Sequence, residues 1–182
     1  MKPSICAVLS TAALLVAAAP TQVLAADATC LWDHLPPQTT SAIIEAGLKQ
    51  DLGKIHDAGS DAGPAAKACG LEKSAGEDVG NALTGVALER VGEAWFQRNL
   101  GVGPDRLDTA WGKLGPKMQS ALEDDIQSPK TDEALVSGAT DAFITALGMP
   151  TPKDDHASAD LGYFSALYLG GRSLRAAMEP KL

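Results

Sequence analysis

Apolar residues recur at three- and four-residue intervals over most of the chain, and Gly and Pro punctuate the runs. That spacing is the helical period. Pro36-Pro37 opens a first helix with Ile43, Ile44, Leu48, Leu52 and Ile55 on its apolar face. A turn rich in Gly and Asp, Gly59 to Pro64, ends it, and a short helical turn follows from Ala65 to Cys69. A long helix is predicted from about Glu77 to Leu100, with Gly101 as a left-handed stop. Pro104-Asp105 starts the next, bent at Gly115-Pro116 and ended at Ser128-Pro129. Asp132 caps a helix that stops at Gly148, and a last helix runs from about Asp154 to Met178.

No segment alternates apolar and polar residues with the β-branched enrichment of a strand. The expected fold is therefore all-α, a single-domain bundle of about five main helices. Leu-Gly recurs at Leu100-Gly101 and Leu147-Gly148, each with a Phe four residues earlier, Phe96 and Phe143. That is compatible with a repeated helical hairpin, or with the frequency of Leu-Gly as a helix stop.

The N-terminus reads differently. Lys2 precedes an apolar run from Ile5 to Ala19, and Val23-Leu24-Ala25 places small residues at a cleavage site. This is the pattern of a secretory signal peptide, residues 1–25, leaving a helical domain at 26–182. The run is shorter than the ~20 residues of a spanning helix. No later apolar stretch is longer, so no integral membrane segment is expected after cleavage. Asp27-Ala28-Thr29 before Cys30 lacks the Leu of a lipidated cysteine. The expected location is periplasmic or secreted.

The net charge is −8, and cleavage would remove Lys2 and no acid, leaving −9. Such an acidic chain has no electrostatic reason to bind nucleic acid. Of three cysteines, Cys6 would leave with the signal peptide, and Cys30 and Cys69 remain. An even pair in an exported chain implies a disulfide. Closing a loop of about 40 residues corresponds to ~4 kcal/mol on the chain-entropy argument. The alternative is a metal or redox pair, although the spacing is far from CxxC.

Candidate chemistry is sparse. His156 follows Asp154-Asp155 and lies four residues before Asp160. Asp155, His156 and Asp160 are a weak metal-ligand set, set against acids that complement a helix N-terminus. Glu89, Glu93 and Gln97 form one stripe, expected to be a solvated face; a carboxylate-dependent hydrolase is the catalytic alternative.

Gly76, Gly80, Gly85 and Gly92 fall in or near one helix, and Gly162, Gly170 and Gly171 in another. Each interior glycine costs up to about 1 kcal/mol relative to Ala, which close helix approach would offset. A second reading is a gap for a small apolar ligand, lined by Trp95, Phe96, Trp111, Phe164 and Tyr168.

No GxSxG, P-loop, GxGxxG or CxxCH occurs. No catalytic residue is assigned and no cofactor is implied. The leading expectation is a non-catalytic periplasmic binding or protein-interaction protein, whose partner is another protein or a small apolar ligand. A metal-binding protein using His156 is the alternative, beside the hydrolase.

Overall fold

The glycines decide how the helices assemble. A computed structural model describes residues 27–182, apart from 61, 75, 129, 150, 151 and 153 and the side chains of 58–60. The signal-peptide reading of residues 1–25 lies outside the described residues. The described residues form eight α-helices and no strand. They are α1 (Ala28–Asp33), α2 (Pro37–Leu48), α3 (Gly53–Ser60), α4 (Gly63–Ala68), α5 (Gly76–Leu100), α6 (Pro104–Ile126), α7 (Glu133–Leu147) and α8 (Asp155–Met178). A 3₁₀ turn, Glu179–Lys181, follows α8. Five of them, α2 and α5 to α8, are the main helices expected from the sequence.

Most helix ends follow local chemistry. Asp132 Oδ1 accepts from the Ala134 and Leu135 amides at the start of α7. Asp154 Oδ1 accepts from the His156 and Ala157 amides at the start of α8. These are N-caps that satisfy otherwise unpaired amides. Gly115, at φ +75°, bends α6 just before Pro116, which lacks an amide hydrogen to donate.

The first predicted helix differs. The apolar spacing carries it on to Ile55, but the chain divides there into α2 and α3. Gln50 takes a left-handed conformation, φ +62°. Its amide donates to Gly47 O at 2.9 Å, and the Asp51 amide donates to Ala46 O at 3.0 Å. These two bonds are the double closure that ends a helix with a residue in this conformation. Gln in place of the usual Gly hides the stop from a sequence reading.

α5 and α8 are the centre. α1, α2 and α3 pack on α5, while α6 and α7 pack against α8 and each other. Gly85 and Gly92 of α5 face Gly171 and Tyr168 of α8. A Cβ at Gly171 would collide with the Glu89 amide nitrogen and stand 2.7 Å from Gly85 O. A Cβ at Gly85 would stand 2.7 Å from the Arg175 amide nitrogen, and one at Gly92 would stand 2.8 Å from Tyr168 Cβ. The backbones meet with no side chain between them. Gly47 gives α2 a similar approach, where a Cβ would stand 2.5 Å from Val91 Cγ2. Gly76, Gly162 and Gly170, by contrast, have open space where a Cβ would go, so close approach accounts for only part of the glycine set.

The aromatic residues fill the core. Trp95 stacks on Phe164 with centroids 4.8 Å apart, and Phe143 stacks on Tyr168 at 5.3 Å. Phe96 meets Phe143 edge to face at 6.1 Å. Trp95, Phe96, Trp111, Phe164 and Tyr168 are all buried. The side chains that would line a ligand gap between the helices therefore pack on one another or on neighbouring helices. Cys30 and Cys69 form a disulfide that joins α1 to the end of α4, with Cα atoms 6.0 Å apart.

Replacing Gly171 by Ala should cost at least about 1–3 kcal/mol, because the obstructing atoms are backbone. Gly138 is exposed in α7, and nothing lies within 4 Å of the place its Cβ would take. As Ala it should instead gain ~0.5–1 kcal/mol. Urea unfolding of both variants checks the pair; equal effects would contradict the close contact.

Candidate functional site

The face of α5 that carries Gly85 and Gly92 also carries Glu89, since 85, 89 and 92 lie at helical steps of four and three. Glu89 is buried, 6% exposed. The facing stretch of α8 carries Arg172 and Arg175 beside Gly171. Arg172 donates to Glu89 Oε1 at 3.2 Å, and Arg175 Nε donates to Glu89 Oε2 at 2.8 Å. Each carboxylate oxygen thus has its own guanidinium. The expectation of a solvated stripe is corrected here. Glu89 is buried, the Glu93 side chain is 13% exposed, and only Gln97 at the far end is exposed. The contact face of α5 overrides the polarity of the stripe.

The cluster extends outward. Arg172 also pairs with Asp108 of α6. It donates to the Tyr168 hydroxyl at 2.8 Å, and that hydroxyl donates to Asp108 Oδ1 at 3.2 Å. The guanidinium lies 5.7 Å from the centre of the Trp111 ring, a cation–π distance. Arg175 donates to Glu179 at 3.0 Å, and Arg90 donates to Glu93 at 2.7 Å.

Burial sets the protonation behaviour. It pushes the Tyr168 phenol well above its usual range, so the hydroxyl keeps its proton. Burial opposes the charges of Arg172 and Arg175, but their partners outweigh it, Tyr168, Glu89 and Asp108 around Arg172 and Glu89 and Glu179 around Arg175, and hold both pKa values above the usual range. Burial also raises the Glu93 carboxyl, only partly offset by Arg90, and Glu89 and Asp108 add to the rise. Chemically, the arrangement holds buried charge in a fixed geometry, and Glu93 beside it takes up a proton more readily than a free glutamate.

The predicted metal ligands lie elsewhere, in the first turns of α8. His156 is exposed, and its Nε2 stands 3.9 Å from Asp160 Oδ2. Asp160 Oδ1 accepts from Gln50 at 3.5 Å. Asp155 is exposed in the first turn. Among the described residues, the three ligand-type side chains that converge are Cys30, His34 and Cys69, with ligand atoms all within 4.8 Å. Sequence spacing gives little sign of this set, because Cys69 lies 35 residues beyond His34.

One further concavity bears on binding. A groove of about 460 Å³ runs between α7 and α8. Val136, Tyr163 and Ala166 supply apolar wall, and its ionisable rim residues, Glu133 and Asp141, are both acidic. Comparison with protein-family models, curated proteins and solved structures gives no match.

Glu93 generates a pH prediction. Its folded pKa is raised, so the native state holds the proton more tightly than the unfolded chain. The stability this contributes is full below the unfolded value near 4.5 and is lost as pH rises through the folded value. Glu93→Gln lacks that contribution. The stability of wild type relative to Glu93→Gln should therefore fall as pH rises from about 4 to 7. Denaturant titrations across that range check it; a constant or widening advantage for wild type would contradict the raised pKa.

Proposed function

We propose that this is an exported, non-catalytic binding protein that holds a basic, partly apolar segment of a partner protein in the α7–α8 groove. The observation that carries the reading is the character of that groove. It offers apolar wall from Val136, Tyr163 and Ala166 beneath acidic side chains, with no basic residue among the described residues of its lining. Apolar contact supplies affinity, and complementary charge at the rim supplies selectivity and encounter rate. A net-acidic chain adds long-range attraction for the same occupant.

The buried charge cluster supports a structural rather than catalytic use of the strongest polar groups. Glu89, Arg172, Arg175, Asp108 and Tyr168 bond to one another across three helices. A second reading, a carboxylate-dependent hydrolase, has one observation in its favour: the raised Glu93 carboxyl beside other acids. It requires turnover of a substrate that Glu93→Gln abolishes.

The test is an NMR titration of the labelled protein with an amphipathic Lys/Leu peptide. Shifts should concentrate on residues 131–141 and 162–166. The double variant Glu133→Lys/Asp141→Lys should weaken binding about tenfold, equal to 1.4 kcal/mol. Equal binding of a Glu/Leu peptide, or shifts spread over the other helices, would overturn the reading.

A further inference from the structure

The Cys30–Cys69 disulfide has a histidine beside both of its sulfurs. His34 lies one helical turn after Cys30, at the end of α1. Its Nδ1 stands 3.5 Å from Cys30 Sγ and 3.7 Å from Cys69 Sγ. The ring is held there because Nδ1–H donates to Cys30 O at 3.0 Å, while the His34 amide donates to the same oxygen at 3.2 Å. The ring is exposed, and the two cysteines are half-buried.

We propose that Cys30, His34 and Cys69 become a zinc site when the disulfide is reduced, so that the corner joining α1 to α4 has two exclusive closures. One is the covalent bond and the other is a metal ion. The donor set fits: two thiolates and an imidazole are the ligands zinc takes in Cys/His sites, and they are soft enough to exclude calcium and magnesium. The spacing fits as well. With Zn–S near 2.3 Å and Zn–N near 2.0 Å, a tetrahedral ion places sulfur and nitrogen roughly 3.5 Å apart. Both sulfurs already stand at about that distance from Nδ1. Opening the bond lets the sulfurs part toward the tetrahedral S···S edge, roughly 3.7 Å. The S–S bond and the bond from Nδ1 to Cys30 O have to give, while the third ligand already stands beside both sulfurs. Three protein ligands leave the fourth position to water.

The steps balance. A dithiol, in small-molecule or protein form, gives two electrons and two protons to the disulfide and becomes a disulfide itself. Two thiols result. Zinc binding displaces their two protons to solvent, and the two thiolates neutralise the ion's charge. His34 must offer the Nδ1 lone pair, so its proton moves to Nε2, which the exposed ring exchanges through water. The bond from Nδ1 to Cys30 O is given up in favour of the metal.

The experiment uses the purified protein, reduced with excess dithiol and desalted without oxygen, and titrated with Co²⁺ as a spectroscopic stand-in for zinc. A thiolate-to-cobalt charge-transfer band should grow to saturation at one ion per chain and disappear when Zn²⁺ is added. The oxidised protein should give no band. His34→Gln, a change at an exposed side chain, should weaken cobalt binding about tenfold or more and shift the ligand-field bands as nitrogen leaves the ion. Zinc should also raise the melting temperature of the reduced wild type but not of reduced His34→Gln to the same extent. No saturable band in the reduced protein would overturn the proposal. So would a band of the same affinity and shape in His34→Gln.

Discussion

The distance between α5 and α8 governs this structure. Where Gly85, Gly92 and Gly171 meet, each backbone occupies the space a neighbouring Cβ would need. An isolated glycine in a helix weakens it, through lost backbone entropy and a missing side chain. Here that weakness is offset by dispersion contact between two helices along their centres. The other helices are then placed by the pair: α1, α2 and α3 pack on α5, and α6 and α7 pack on α8.

Close approach also explains why charge is buried. At such a separation, the Arg172 and Arg175 side chains reach a carboxylate on the facing helix. Glu89 lies between the contact glycines and receives both. A buried ion pair is not by itself a source of stability, because desolvating the charges offsets much of their attraction. Removing one partner is another matter: it strands the remaining charge at a cost of about 3–5 kcal/mol. The cluster therefore constrains the register of α5 against α8 more than it strengthens the fold. Asp108, Tyr168 and Trp111 carry the constraint on to α6 and the core.

The helices are legible in the sequence because their signals are local. Asp132, Asp154 and Gly101 mark helix boundaries by chemistry confined to a few residues. The cysteine pair is legible from the count of cysteines together with the expectation of export. The stop at Gln50 is not, since a left-handed turn there uses a residue that gives no sign of it. The buried cluster is half legible. Steps of four and three put Glu89 on the same face as Gly85 and Gly92, so a contact face drawn through the glycines buries it. Its partners, 83 and 86 positions later, have no local signature. His34 is similar: only folding brings Cys69 to it.

The proposed binding role rests on what this scaffold leaves free: an acid-rimmed groove on the α7–α8 side, whose lining shares no residue with the charge cluster. The contact between α5 and α8 holds that scaffold together, and it has a direct test. In a nuclear Overhauser spectrum of the protein, the Gly171 Hα protons should give strong cross-peaks to the Glu89 amide and to the Gly85 Hα protons. Absence of both, with the helices otherwise intact, would mean that side chains separate the two helices and that the buried cluster is not held as described.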